Sequence, residues 1–251
     1  MMQQKSQRVA IAVMAKAPRA GQSKTRLVPP LSAEEAAQVS AAFLRDVTDN
    51  IALAAGDAPI DAYVAYAPAG DAARFDGCLA PGTSLVLADG SIDAPPGVRG
   101  IGRCLLHATR ALLAAGYAAA ALLNADSPNL PTALLGDLCA RLLAPGPRVV
   151  LGPAEDGGYY AIGLKAAEPH LFEDIDWSTA RVAGQTAERA RDLGLKLDML
   201  PSWYDVDDPD DLRRLLADLR HGQAGGLRPS AAPATAACAA RLDLARRLDP
   251  A

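Results

Sequence analysis

The chain has 251 residues, 50% of them hydrophobic and 22% charged, with a formal net charge of -4 at pH 7. This is the make-up of a globular protein with a sizeable core, and it argues against disorder and against nucleic acid as a partner, because a phosphate backbone selects for a basic face. Cys78, Cys104, Cys139 and Cys238 form no C-x-x-C pair, and His107, His170 and His221 are scattered, so neither a zinc site nor a disulfide framework is signalled.

Lys5 and Arg8 precede an apolar run, Val9–Ala15, in imitation of a secretory signal. The run is short, lacks leucine and ends directly in Lys16, which predicts a buried first β-strand and a cytoplasmic protein. No stretch approaches the roughly 20 apolar residues of a transmembrane helix, so no membrane partner is expected.

Behind this strand, the loop Lys16–Arg26 carries Lys16, Arg19, Lys24 and Arg26 together with Gly21 and Thr25. At the carboxyl end of a central strand, such a loop is suited to wrapping a di- or triphosphate, the cations supplying charge and the glycine letting backbone amides approach. A solvated charged connection is the plainer alternative. Lys24-Thr25 is not the end of a P-loop, since the required glycines are replaced by Ser23 and Pro18.

Ser32 and Glu35 form a capping box that opens a helix to about Ala55. Strands follow at Ile60–Tyr66 and Ser84–Ala88, then a helix at Gly102–Ala115. Gly100-Ile101-Gly102 fails as a dinucleotide fingerprint because the third glycine position is Leu105.

The strand Ala119–Asn124 delivers Asp126, and Pro128 stops it from continuing. An acid there is suited to a divalent ion that bridges phosphate oxygens, because Mg²⁺ prefers hard oxygen ligands and uses only one or two protein carboxylates; a turn cap is the alternative. A helix at Pro131–Leu143 and strands at Arg148–Gly152 and Tyr159–Leu164 come next. Between those strands, Glu155 is a candidate general base and Asp156 a candidate catalytic or metal-binding acid. Gly157 and Gly158 would let the backbone approach a ligand, although Asp156-Gly157 is equally an ordinary hairpin turn.

A helix at Ser178–Leu193 and a strand at Leu195–Leu200 lead to Asp205 and Asp207, two apart on one side of an extended segment, where one could complete a metal site. Asp208 caps a helix whose first residue is Pro209. Residues 1–220 thus read as one α/β domain, a mostly parallel sheet flanked by helices. The Gly-, Pro- and Ala-rich stretch 221–235 reads as a flexible linker, and 236–251 as a short C-terminal helix over Ala236–Leu248 that docks on the domain, on a second subunit or on nothing.

Five segments in this order resemble the DUF2064 family: Ala15–Pro18 with Lys24–Leu27, Asp126-Ser127-Pro128, Gly152–Tyr160, Trp177-Ser178-Thr179 and Asp205-Val206-Asp207. The family's members are bacterial transferases associated with radical-SAM and selenodomain proteins and assigned to arsenosugar-type glycosyl transfer. The resemblance spans about Val9 to Leu219. More distantly the chain is similar to the 2-phospholactate guanylyltransferases and the molybdenum-cofactor nucleotidyltransferases. It implies a single GT-A (nucleotide-diphospho-sugar transferase) domain, with a nucleotide over Lys16, Arg19, Gly21, Lys24, Thr25, Arg26, Gly157 and Gly158. Mg²⁺ or Mn²⁺ would be held by Asp126 with Asp156 or Asp207. One departure is that no acid stands two residues from Asp126, where a DxD glycosyltransferase would have one; Asn124 and Pro128 stand there.

Two activities follow: glycosyl transfer from a nucleotide sugar, or nucleotidyl transfer that releases pyrophosphate from a nucleoside triphosphate. Each would use a small-molecule acceptor. A non-catalytic nucleotide-binding scaffold is the reading from another class, and a homodimer is left open.

Overall fold

The computed structural model describes residues 5–221 and 226–248. Its centre is a seven-stranded sheet in the order β3-β2-β1-β4-β6-β5-β7. The strands are β1 (Val9–Lys16), β2 (Ile60–Ala67), β3 (Ser84–Leu87), β4 (Ala119–Leu123), β5 (Arg148–Pro153), β6 (Tyr159–Leu164) and β7 (Lys196–Met199). All seven expected strands are present, within two residues at each end. Every pairing is parallel except those of β6, which runs antiparallel to β4 and β5 because a tight turn joins it to β5.

The continuous apolar runs of β1 and β4 are explained by burial on both faces. Val9, Ile11 and Val13 join one core layer, and the intervening Ala10 and Ala12 join the other. The first layer is covered by α1 (Ala33–Ala54), α3 (Thr132–Leu143) and α5 (Pro209–His221), the second by α2 (Ile101–Ala114) and α4 (Val182–Asp192). Alanine on the second face of β1 lets α2 approach closely. Among the described residues, no helix is long and apolar enough to cross a membrane.

The helix starts follow their sequence signals. Ser32 Oγ accepts from the Glu35 amide at 3.2 Å, while the Glu35 carboxylate accepts from the Ser32 amide at 2.7 Å. Asp208 accepts from the amides of Asp210 and Asp211, and Asp211 accepts in return from Asp207 and Asp208.

Past α5 the chain differs from a free linker. Residues 222–225 of the expected linker lie outside the described residues. From there on, the Ser230 amide donates to the Asn129 carbonyl at 3.0 Å and Ala232 is fully buried. The expected terminal helix starts earlier, at Pro233, and is broken into α6 (Pro233–Arg241) and α7 (Leu244–Leu248) by Asp243 at φ 51°. Its docking place is α1 of the same chain. Asp46, buried on α1, accepts from the amides of Ala234 and Thr235 at 2.9 and 2.6 Å, so a carboxylate from another helix satisfies the unpaired first turn of α6. Burial raises the pKa of Asp46 against these hydrogen bonds.

Candidate active site

The sheet reverses direction of assembly between β1 and β4. From β1 the chain winds outward through α1 to β2 and β3, then returns to add β4 on the other side. Crevices form at the carboxyl ends of such neighbouring strands. Val13 is in register with Leu123, so the basic loop after β1 and the Asp126 turn after β4 leave the sheet side by side.

Leu27, fully buried in a short 3₁₀ turn, anchors the basic loop. Lys24 takes a left-handed backbone conformation (φ 47°) just before it, and its side chain turns inward, only 8% exposed. Its Nζ lies 2.6 Å from Asp126 Oδ1 and 3.6 Å from Asp207 Oδ1, and donates to the Val206 carbonyl at 2.5 Å. Arg26 stays exposed and pairs with Asp207 at 3.1 Å.

The Asp126 turn is laced to the later acidic segment. The Val206 amide donates to the Asp126 carbonyl, Ser127 Oγ to the Tyr204 carbonyl, and Asn129 Nδ2 to the Tyr204 hydroxyl, at 2.9, 2.9 and 2.7 Å. With Val206 buried between them, Asp205 and Asp207 both project toward the crevice.

Two cavities meet there. The first, about 380 Å³, is lined by Lys16, Lys24, Thr25 and Arg26 with Ser40 of α1, and closes on Asp126 and Asp207. The second, about 300 Å³, is lined by Ile101 and Leu105 of α2, by Tyr159, Trp177 and Val182, and by Asp126, Asp156 and Asp205. Met14, Ala125 and Asp126 belong to both. Burial, reinforced by the negative charge of Asp156, Asp207 and Asp126, pushes the Asp205 carboxyl up to about 6.

Other candidates are placed elsewhere. Arg19 is drawn to Asp71, and neither it nor Gly21 lines the first cavity. Gly157 and Gly158 do not line it either; they make the β5–β6 turn, closed by the Ala154 amide donating to the Gly158 carbonyl at 3.0 Å, and Gly158 lines the second cavity instead. Gly157, at φ 91°, lies against Ala180, whose carbonyl oxygen would stand 2.3 Å from an added Cβ. Its small size therefore holds the 178–182 loop rather than a nucleotide. Asp156 lines the second cavity while its Oδ1 accepts from the Gly158 amide at 2.8 Å.

Glu155 is not free to act as a base. Arg214 of α5 grips it with two hydrogen bonds, at 2.6 and 3.0 Å, and holds its carboxyl below the usual range, and neither cavity reaches it. Conversely, Asp205 carries more of the site than its sequence position announced, and Trp177-Ser178-Thr179, visible as a motif, had no assigned place.

Residues 50–179 match the family DUF2064, described as uncharacterized proteins conserved in bacteria. The chain belongs to this family. A solved structure from Desulfovibrio desulfuricans, provisionally assigned as a nucleotide-diphospho-sugar transferase, is 27% identical over 97% of this chain and 99% of its own, with a TM-score of 0.76. At 11% identity, a CMP:2-keto-3-deoxy-manno-octonic acid synthetase complexed with CTP covers 86% of this chain and 100% of its own, TM-score 0.53. A cytidylyltransferase from Leptospira borgpetersenii, also 11% identical, covers 94% and 96%, TM-score 0.51. No curated protein matches in sequence. This DUF2064 chain has the GT-A fold, an α/β domain shared with nucleotide-using transferases.

Proposed function

We propose that this DUF2064 chain is a divalent-metal-dependent glycosyltransferase that binds a nucleotide sugar in the basic cavity and its acceptor in the apolar one. The observation that carries the reading is the sharing of Asp126 by the two cavities: groups held in each meet at one carboxylate. The resemblance over 97% of the chain to a protein provisionally assigned as a nucleotide-diphospho-sugar transferase supports the same donor class.

Lys16, Lys24 and Arg26 would take the diphosphate, with Thr25 offering a hydroxyl. The donor set fits a hard cation. Among the described residues, no three metal-ligating side chains form a ready-made cage, but Mg²⁺ or Mn²⁺ at a nucleotide needs only one or two carboxylates, the phosphates and water providing the rest. Asp126, with Asp205 and Asp207 from the segment laced to it, would hold the ion, since these three carboxylates gather at the edge where the two cavities meet. When bound, the ion neutralises charge building on the departing diphosphate.

The chain's own residues supply the rest. An acceptor hydroxyl in the second cavity forms a bond to the anomeric carbon as the carbon–oxygen bond to the diphosphate breaks. The hydroxyl proton passes to Asp156, and the leaving nucleoside diphosphate stays paired with Lys24 and Arg26.

The cations of the first cavity also suit a triphosphate, which keeps nucleotidyl transfer as a second reading. The test is a thermal-shift panel of nucleoside triphosphates and nucleotide sugars with Mg²⁺ or Mn²⁺, followed by identification of the released phosphate. A nucleoside diphosphate is expected. Pyrophosphate would replace glycosyl by nucleotidyl transfer, and binding without turnover of any donor would leave a scaffold.

A further inference from the structure

The charges of the crevice are sorted by cavity. Lys16, Lys24 and Arg26 all line the first, whereas no Lys, Arg or His lines the second, whose charged groups are Asp126, Asp156 and Asp205. Cations on the elements around the second cavity are engaged elsewhere. Arg103 of α2 donates to the carbonyls of Gly90 and Ile92, Arg181 pairs with Asp176 at 3.0 Å, and Arg214 is bound to Glu155.

The apolar part of this cavity includes the indole of Trp177. Trp177, half-buried, lies along α2 at Gly102, where a Cβ would come within 2.9 Å of the indole Cζ2. The absence of a side chain at Gly102 lets the indole settle against α2, with Ile101, largely exposed, beside it. Stacking on such a ring is worth most to a planar or apolar partner.

We propose that the second cavity selects an acceptor with a flat apolar body and no anionic group. The binding rests on the cavity alone; that the occupant is an acceptor rests on the transferase reading above. A carboxylate or phosphate entering here would face Asp156 and Asp205 across apolar walls, while Asp126 already holds the Lys24 ammonium at 2.6 Å and no guanidinium or ammonium lines the cavity to receive the newcomer. A divalent ion held at Asp126 would add positive charge at the shared edge, and the donor diphosphate it binds would offset that charge. Acceptors that carry their own phosphate or carboxylate are therefore disfavoured whether or not the donor is bound.

The experiment compares three probes that share one ring, 2-phenylethanol, 2-phenylethylamine and phenylacetate, titrated into the full chain and followed by ligand-observed NMR. The alcohol and the amine are expected to bind saturably, about tenfold or more tighter than phenylacetate. Trp177→Ala should weaken all three. Thr179→Lys, on the exposed rim, should bring phenylacetate to within about threefold of the alcohol, whereas Thr179→Val, which loses the same hydroxyl bonds to the Asp176 carbonyl and the Arg181 amide without adding charge, should leave the order of probes unchanged. Phenylacetate binding as tightly as the alcohol, no saturable binding of any probe, or affinities indifferent to Thr179→Lys would overturn the proposal. Nucleotide titrations on the same sample separate the two readings: the predicted order of probes without nucleotide binding sinks the transferase and leaves the cavity's selectivity standing.

Discussion

The two cavities share an edge but are built differently. The first is made mainly by one loop, Lys16–Arg26, so its character lies in contiguous residues; the second takes its lining from α2, the end of β4, the β5–β6 turn, the 177–182 segment and Asp205. The first also carries its own anchor, a buried lysine reaching across to Asp126 and the Val206 carbonyl, whereas the second depends on close backbone packing at Gly157. A charge-built site is thus coupled to electrostatics, and a shape-built site to packing. Mutations on either side of Asp126 should separate the two.

Asp126 belongs to both cavities, so its loss should be felt in both. Asp126→Asn is expected to lower turnover by about 10²–10³-fold, the scale seen when one group stabilising transition-state charge is removed. Its carboxylate is 37% exposed and Lys24 keeps Val206 and Asp207, so thermal stability should change little. Full activity in the variant, measured with donor and Mg²⁺, would detach Asp126 from the chemistry.

Gly157→Ala should break the second cavity and spare the first. The left-handed backbone and the collision with Ala180 together cost about 2–3 kcal/mol, read as a lower denaturation midpoint. Binding of an aromatic probe such as 2-phenylethanol should weaken while nucleotide affinity holds. Parallel loss of both would mean that the cavities are one unit. Lys24→Ala is the mirror experiment. Nucleotide affinity should fall about 10- to 100-fold, as expected for a charge-assisted contact, and the loss should be greatest at low salt, where screening is weakest. Binding of the uncharged 2-phenylethanol in the second cavity should not change, and calorimetry of both ligands checks it.

The same contrast explains what was legible in the sequence. The strands could be placed because both-face burial demands uninterrupted apolar runs, and the helix starts because Ser32 and Asp208 cap within their own turns. Lys24, Arg26, Asp126 and Asp207 could be grouped because charged residues near strand ends have few structural reasons to be there. Glu155 was misleading for a physical reason: its partner, Arg214, lies 59 residues on, and no local pattern announces such a pair. The glycines were likewise ambiguous, since a φ of 91° serves a turn as well as a ligand, and only the position of Ala180 decides. The apolar cavity had no signature because its walls, from Ile101 to Val182, are ordinary hydrophobic residues until the fold collects them.

The C-terminal helices provide the control, since neither lines either cavity. Asp46→Ala, which strips the first turn of α6 of its acceptor, should cost about 1 kcal/mol, as for loss of a helix cap, and leave both ligands unaffected. The smallest expected effect is at α7, where Arg247 binds Glu35 at 2.7 and 2.9 Å and holds its carboxyl down to about 2, from an ordinary 4.5. Because the folded pKa lies below the unfolded one, this contact stabilises the protein fully above about pH 4.5 and fades as pH falls toward 2. Wild type should therefore melt about 1–3 °C above Glu35→Gln at pH 6, with the gap closing by pH 2–3. Arg247 also donates to the Pro30 carbonyl at 2.9 Å, just beyond the basic loop. If Glu35→Gln weakened nucleotide binding at pH 6, the loop would prove to be braced from the C-terminus, and the first cavity would no longer be the self-anchored one.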